Sequence, residues 1–329
     1  MNTSMPILPW QQQNWAHLQR YVQQNRIPQA LLFMGNKGLG KQQLADQYAA
    51  ALLCKTTDND GRACGHCQSC LLINAGTHPD LLHVVPEETG KNITIAQIRN
   101  LIVKLSLKPQ FERYRMVIIN PADAMNNAAA NAFLKCLEEP NERTCMILIT
   151  DKPSRLPATI ISRCQKLTIT APDKSTLLDW LKQNNIHDDL DVLCNLTKGA
   201  PLLAQQVVTD QHIPIRSECF KQWTAIAKRQ NHPVIVAEQW LGAPESALLF
   251  WLISWVMDLI KCVYSVQPEY LYNPDLSKAL QELAGQLELR GLYSLYDLLL
   301  LSQQRITTQI NKQLLLEEIL ISWSNLNLK

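Results

Sequence analysis

Ala30-Leu-Leu-Phe-Met34 is followed directly by Gly35-Asn-Lys-Gly-Leu-Gly-Lys41-Gln42, and the fold of the chain can be worked out from these two stretches. The first is a short apolar run, which predicts a buried strand leading into a glycine-rich loop. The second matches G-x-x-x-x-G-K, in which backbone N–H groups hold phosphate and the lysine reaches the terminal phosphates. A helix is predicted next, over 44–53. Strand, loop and helix in this order indicate a phosphate loop rather than an incidental glycine turn.

The rest of the chain predicts an α/β region followed by an all-α region. Met116–Ile119 and Met146–Ile149 are short apolar runs that predict two more strands, and a helix is predicted between them over 128–139, ended by Pro140. Strands that alternate with helices form a parallel sheet with helices on both faces. After about residue 170 the pattern is helical. We therefore predict domains at 1–170, 171–208 and 209–329.

The magnesium-binding positions of a P-loop enzyme are altered in this chain. The residue after Lys41 is normally Ser or Thr, whose hydroxyl binds magnesium, but here it is Gln42. The strand predicted at 116–119 is normally followed by a metal-binding carboxylate, but here it is followed by Asn120 and Pro121. Asp123 is interpreted as a turn or helix-start residue. Phosphate binding stays open, whereas hydrolysis is not expected.

Four of the ten cysteines form a group with metal-site spacing. Cys54 precedes Cys64-Gly-His-Cys67-Gln-Ser-Cys70 in a stretch rich in Thr, Asp, Asn and Gly. Thiolates with two residues between them on a tight turn can share one tetrahedral ion. His66 and His78 are weaker candidates for the fourth ligand, and an iron–sulfur cluster or unrelated thiols are alternatives. We predict a closed, structural zinc site in a module at about 54–70, because catalytic zinc needs an open position.

Composition excludes several classes of protein. Lys and Arg number 31 against 29 Asp and Glu, a net charge of +2, which argues against a dedicated, strongly basic nucleic-acid binder. The N-terminal residues do not resemble a secretory leader, and the most apolar stretch, at 247–257, is too short to span a membrane. A cytoplasmic location is expected, and because that compartment is reducing, the other six cysteines are interpreted as free thiols.

A series of motifs resembles the clamp-loader branch of the AAA+ ATPases. In order, they are Gln29-Ala-Leu-Leu-Phe33 with the phosphate loop, the cysteine group, Gly76-Thr-His-Pro-Asp80, Ala132-Phe-Leu-Lys-Cys-Leu-Glu-Glu-Pro140 and Ile161-Ser-Arg-Cys164. The resemblance is dense over 25–170 and thinner beyond, where it rests on Gly199-Ala-Pro201 and Asn311 to Leu320. It implies an AAA+ core at 1–170, a small helical lid at 171–208 and a helical collar at 209–329 that assembles the loader ring.

The resemblance implies a part of the DNA polymerase III holoenzyme, a DNA-directed DNA polymerase, which helps load the sliding clamp onto primed DNA. Its implied partners are an ATPase subunit and the delta subunit, reached through the collar and Arg163, with the clamp and DNA reached through the complex and no membrane involved. Arg163 is implied to act in trans as an arginine finger. A local surface salt bridge is the alternative for this residue. Thr150 matches the family's nucleotide-sensing position, and Gly199–Leu203 lacks the arginine that active members carry there.

These observations lead to a non-hydrolysing subunit with a structural zinc ion. ATP binding is doubtful but stays open, because the phosphate-loop residues Gly35, Gly38, Gly40 and Lys41 are retained. One alternative is an autonomous P-loop ATPase with atypical magnesium ligands. A zinc-ribbon nucleic-acid module is a third hypothesis, although Lys55 and Arg62 are the cysteine loop's only basic residues.

Overall fold

The chain folds into two compact units in this computed structural model, which describes residues 6–88, 90–111, 113–187, 190–306 and 311–326. The first unit comprises Met1–Leu177 and Ala200–Leu203, and the second comprises Leu178–Gly199 and Ala204–Lys329. The three domains expected at 1–170, 171–208 and 209–329 stay a prediction.

A five-stranded parallel sheet forms the centre of the first unit. Its strands are β1 (Ala30–Met34), β2 (Leu81–Val84), β3 (Arg115–Ile119), β4 (Thr144–Thr150) and β5 (Gln165–Thr168). They lie in the order β2-β3-β4-β1-β5, and all four pairings are parallel. The three predicted strands are confirmed. The strands β2 and β5 were not predicted. Both are short and lie at the sheet edges, where they are only partly buried, so neither has the continuous apolar run of a central strand.

Helices and turns complete this unit and continue through the rest of the chain. Those of the first unit are α1 (Gln12–Gln23), α2 (Lys41–Leu53), α3 (Gln68–Asn74), α4 (Ile95–Ser106), α5 (Asn127–Glu138) and α6 (Ala158–Ile161). Side-chain caps set two starting points: Thr94 and Gln97 form a capping box on α4, and Asn126 caps α5. The later helices are α7 (Lys174–Gln183), α8 (Leu190–Leu196), α9 (Pro201–Thr209), α10 (His212–Ala227), α11 (Pro233–Gln239), α12 (Glu245–Val263), α13 (Ser277–Ala284), α14 (Leu289–Arg305) and α15 (Lys312–Ser324). The predicted fold class, α/β followed by all-α, is confirmed.

Apolar cores lie on both faces of the sheet because successive strand residues point to opposite sides. Leu31 and Phe33 of β1 belong to the core with α2, whereas Leu32 belongs to the core with α4 and α5. The second unit has its own core, in which the Trp223 and Trp323 rings stack with centroids 3.9 Å apart. Among the described residues, no helix has both the length and the apolar character needed to cross a membrane.

A buried ion pair fastens the motif at 76–80 to the sheet. Arg115 of β3 donates from Nη2 to Oδ1 of Asp80 at 3.1 Å, and both side chains are almost fully buried. The same guanidinium donates to the carbonyls of Lys104, Leu107 and Lys108. Asp80 also accepts from the backbone N–H groups of Gln110 and Phe111. The pair therefore holds the segment between α4 and β3 against the sheet.

Replacing Asp80 by alanine should strongly destabilise the chain. The substitution leaves Arg115 buried without its counter-charge, so we expect the free energy of unfolding to fall by about 3–5 kcal/mol. Glu88→Ala is the matched control, because it removes an exposed pair with Lys91 and should have little effect. Denaturant unfolding of the full chain measures both. Equal losses in the two variants would contradict this account of the Asp80–Arg115 pair.

Candidate functional site

The phosphate loop joins β1 to α2 at the carboxyl edge of the sheet, where open α/β proteins bind ligands. Two of its glycines are required by backbone shape. Gly38 has φ +82° and Gly40 has φ +77°, in the left-handed region that favours glycine. A Cβ atom at Gly38 would also lie 2.5 Å from Cβ of Leu203. The loop thus keeps the glycine geometry that the sequence predicted, and another part of the chain packs closely against it.

The Lys41 ammonium group is bound by the protein itself. Its Nζ donates to the carbonyls of Gly35 and Asn36, each at 2.7 Å, and forms a 2.6 Å ion pair with Asp151. An ammonium group has three N–H donors, so these three partners occupy all of them. The lysine side chain is 5% exposed. In this conformation Lys41 has no donor left for a phosphate.

The outer side of the loop is covered by two segments of the same unit. Leu202 donates its backbone N–H to the Gly38 carbonyl at 3.1 Å. From the N-terminal side, Trp10 and Gln11 donate side-chain N–H groups to the Leu39 carbonyl at 3.0 and 2.7 Å. These contacts and the Asp151 ion pair were not predicted, because no local motif identifies groups that come from distant parts of the chain.

The two altered magnesium positions are hydrogen-bonded to one another. Asn120 Nδ2 donates to Gln42 Oε1 at 2.8 Å, and Gln42 Nε2 donates in turn to Asp46 Oδ1 at 2.6 Å. Two neutral amides therefore contact each other where a P-loop ATPase has a hydroxyl and a carboxylate around a metal ion. Burial raises the pKa of Asp46 to about 6, and its hydrogen bond with Gln42 opposes that rise.

The position that resembles the nucleotide sensor is also occupied. Thr150, at the end of β4, is fully buried, and its hydroxyl donates to Asp123 Oδ1 at 2.6 Å. The Thr150 hydroxyl oxygen also accepts from the backbone N–H of Lys152 at 3.0 Å. Asp123 lies in a short 3₁₀ turn, as the sequence analysis interpreted it.

Asp46→Asn should stabilise the chain in a pH-dependent way. The folded-state pKa of about 6 lies above the unfolded value near 4, so the folded chain binds the extra proton between these pH values. Stability of the natural chain therefore falls as pH rises through this window, and asparagine removes the loss.

Relative to its value at pH 3, the advantage of Asp46→Asn in unfolding free energy should reach on the order of 1–3 kcal/mol above pH 7. Chemical denaturation at a series of pH values measures it. Glu87→Gln, at an exposed carboxylate, is the control. An advantage of the Asp46→Asn variant that did not vary with pH would contradict the burial of Asp46 as its cause.

Cys54, Cys64, Cys67 and Cys70 come together in one cluster, with all four sulfur atoms within 4.8 Å of one another. The Cys54–Cys67 and Cys64–Cys70 sulfur pairs are 3.8 and 3.9 Å apart. Thiolates around a tetrahedral zinc ion at about 2.3 Å would lie about 3.8 Å from each other. The geometry fits such an ion. Among the described residues, neither His66 nor His78 belongs to the cluster.

Local structure holds these thiols in place. Cys54 follows the last residue of α2, while Cys67 directly precedes α3 and Cys70 lies in its first turn. Backbone N–H groups point at the sulfur atoms: Cys64 donates to Cys54 Sγ at 3.2 Å, and Cys67 donates to Cys64 Sγ. Burial acts to raise the pKa of Cys64, but hydrogen bonds from the backbone of His66 and Cys67 bring that pKa down to about 6. Burial raises the pKa of Cys54 and Cys70, so it is the spacing of the four sulfur atoms that suits a metal ion with thiolate ligands.

Arg163 lies at the surface just after α6. Its Nη1 donates to the Thr159 carbonyl at 3.0 Å, and its Nη2 donates to Glu138 Oε1 at 2.8 Å. The arginine side chain is 38% exposed. The structure thus contains the local salt bridge that was the alternative for this residue, and it leaves the guanidinium accessible from outside.

The parallel sheet and its phosphate loop define a P-loop protein of the α/β class with a helical region attached. Two family descriptions match it: "DNA polymerase III, delta subunit" over residues 10–173 and "DNA polymerase III, delta subunit, C terminal" over residues 210–325. The DNA polymerase III subunit delta′ of Pseudomonas aeruginosa is 34% identical over 325 residues, covering 97% of this chain and 98% of that protein. The Escherichia coli subunit delta′ is 29% identical over 318 residues, covering 95% and 94%. The chain belongs to the DNA polymerase III subunit delta′ family, within the clamp-loader proteins that its motifs resemble.

Among solved structures, this chain matches one from Thermotoga maritima. It is a DNA polymerase III gamma subunit-related protein, 16% identical, with a TM-score of 0.44 and coverage of 94% of this chain and 98% of that one.

Proposed function

We propose that this chain is a clamp-loader subunit that neither binds nor hydrolyses ATP and that completes the ATP site of a neighbouring subunit. The proposed lack of ATP binding rests on Lys41, whose ammonium group already has three partners within the chain. A phosphate would have to displace the Asp151 carboxylate and two carbonyls from this group. It would also meet loop glycines on which Leu202 and Leu203 already pack. The retained loop is then a structural connection between β1 and α2.

The amide pair supports the absence of hydrolysis. Magnesium in P-loop ATPases is held by a hydroxyl and a carboxylate, and the ion neutralises charge that develops during phosphoryl transfer. Gln42 and Asn120 have no negative charge to offer, and their polar groups already bond to each other. An autonomous ATPase with atypical magnesium ligands would have to break this contact first.

The proposed completion of a neighbouring subunit's ATP site rests on Arg163. A guanidinium is always charged and has five N–H donors that match phosphate oxygens, which suits it to act on phosphates in trans. Its exposure lets a second protein reach it. The resemblance to clamp-loader proteins implies that this second protein is an ATPase subunit of the loader, and the chain is similar to subunits tau and gamma of DNA polymerase III. Its contribution to the reaction is electrostatic stabilisation at the neighbour's site.

We propose that the chain assembles into the loader through the domains that the family resemblance implies. The collar at 209–329, together with Arg163, would join this chain to the ATPase and delta subunits in a ring, with the lid at 171–208 between the AAA+ core and the collar. The ring would then place the sliding clamp on primed DNA as part of the polymerase III holoenzyme. Any DNA contact of this chain should be with the phosphate backbone, which gives salt-dependent affinity without sequence readout.

We assign zinc to the cysteine cluster. Four thiolates fill a tetrahedral site completely, so the ion has no open position for substrate or water, and its role is structural. The ion would tie the end of α2 to the start of α3 across a loop that has little core of its own.

Removing zinc should destabilise the chain without affecting a reaction step. We expect complete chelation, or Cys70→Ser, to lower the melting temperature, because metal-binding free energy is part of the folding free energy of such modules. Cys262→Ser, at a half-buried thiol outside the cluster, is the control. Calorimetry with a zinc assay on the same sample tests this. An unchanged melting curve after proven zinc loss would refute a structural role.

ATP turnover tests the central proposal. The purified chain alone should show no hydrolysis, and a loader reconstituted with Arg163→Ala should lose the activity of the site that Arg163 faces. Loss of an arginine finger costs about 10³-fold or more at its own site, so the whole loader should lose at least that site's share. Arg155→Ala, at another exposed arginine of the same region, is the matched control.

Turnover by the chain alone that Lys41→Ala abolished would favour the autonomous ATPase. Full turnover of the loader with Arg163→Ala, at normal assembly, would remove the arginine-finger assignment.

A further inference from the structure

The contacts of Arg163 assign a role to Glu138. The Arg163 guanidinium is anchored at two points on two different helices: the Glu138 carboxylate, on the last residue of α5, and the Thr159 carbonyl of α6. Both contacts are short, at 2.8 and 3.0 Å. An arginine side chain otherwise has several rotatable bonds and adopts many orientations in solvent. Two anchors restrict the plane of the guanidinium as well as its position.

These anchors use only part of the donor capacity of the side chain. A guanidinium has five N–H groups, and the contacts to Glu138 and Thr159 use one on Nη1 and one on Nη2. Three N–H groups therefore remain for other acceptors. The arrangement holds the side chain and still leaves enough donors for a bidentate contact with phosphate.

Charge favours the same orientation. Glu138 ends α5, so the carbonyl end of the helix, which carries partial negative charge, lies beside its carboxylate. The adjacent Glu139 caps the helix through its backbone N–H to Lys135, and Pro140 prevents the helix from continuing. The end of α5 thus places negative charge beside the guanidinium, although Lys135 in the same turn offsets part of it.

The Arg163–Glu138 ion pair contributes little to the stability of the fold. The two side chains are 38% and 51% exposed, and an ion pair with that exposure contributes little to the free energy of unfolding. Orientation is the property that such a pair can still control, because it selects one geometry for a long side chain. In catalysis in trans, an error of about 1 Å in position can cost about 100-fold in rate.

We propose that Glu138 is a positioning residue that holds Arg163 in the orientation needed to reach the phosphates of a neighbouring subunit's nucleotide. This inference rests on the proposed function of Arg163. Glu138 does not touch the nucleotide and acts through the guanidinium, so its effect belongs to turnover and not to ATP affinity.

A double-mutant cycle in the reconstituted loader tests the proposal, with ATP turnover measured at several ATP concentrations. Glu138→Ala should lower kcat by up to about 10-fold, and by no more than Arg163→Ala, with KM for ATP changed less than about twofold. Glu138→Gln keeps an oxygen acceptor and should recover most of the loss. Glu139→Ala, one residue away, is the matched control. The variant with both Glu138→Ala and Arg163→Ala should equal Arg163→Ala alone, because Glu138 has nothing left to position.

Three results would overturn the proposal. The first is unchanged turnover of the loader with Glu138→Ala. The second is increased turnover with Glu138→Ala, which would mean that the ion pair restrains Arg163. The third is a further loss of turnover when Glu138→Ala is added to Arg163→Ala. The proposed function fails separately, through the Arg163→Ala arm. If that variant alone has full activity, the arginine finger is wrong and Glu138 has no role to support. If it is impaired while the Glu138 arm fails, only the present inference is lost.

Discussion

The three bonds of the Lys41 ammonium group are the interaction on which the character of this protein depends. A phosphate loop concentrates positive potential, from the lysine and from backbone N–H groups at a helix start, and this potential requires a negative or polar partner. Here Asp151 and two carbonyls of the loop supply it from within the chain. The loop keeps its shape because its charge is balanced internally. In this conformation the ammonium group has no N–H donor left for a phosphate.

The neighbouring positions follow the same rule. Gln42 and Asn120 satisfy each other, and Thr150 donates to Asp123, so side chains that would face metal or phosphate in an active enzyme bond to protein instead. Buried polar groups without partners are costly, and these contacts avoid that cost at the carboxyl edge of the sheet. The side chains at this edge therefore satisfy one another, as polar groups do in an ordinary polar interior. Asp46 shows the limit of this adjustment, because burial raises its pKa to about 6.

The cysteine cluster and Arg163 lie outside the phosphate-loop site. The cysteine cluster lies in a short, polar loop with little hydrophobic core, and its four sulfur atoms are close enough to share one metal ion. Arg163 differs in its exposure, because its guanidinium lies at the surface although it bonds to Glu138 and Thr159. Within one α/β unit, both cations have an anionic partner, but only the Arg163 side chain is open to solvent.

The parallel sheet, the phosphate loop, the four-cysteine group and the family could all be predicted from the sequence, because each depends on residues close together in the chain or on motifs in a fixed order. Gln42 and Asn120 could also be identified there as substitutions, but not as partners of each other. What fills the site became known only from the folded chain: Asp151 on Lys41, Leu202 and Leu203 on the glycines, and Glu138 on Arg163. The edge strands β2 and β5 also escaped prediction, because partial burial leaves no apolar run. Local sequence patterns determine backbone conformation. The partner of a charged or polar group can instead come from a distant part of the chain, so it is decided only by the tertiary structure.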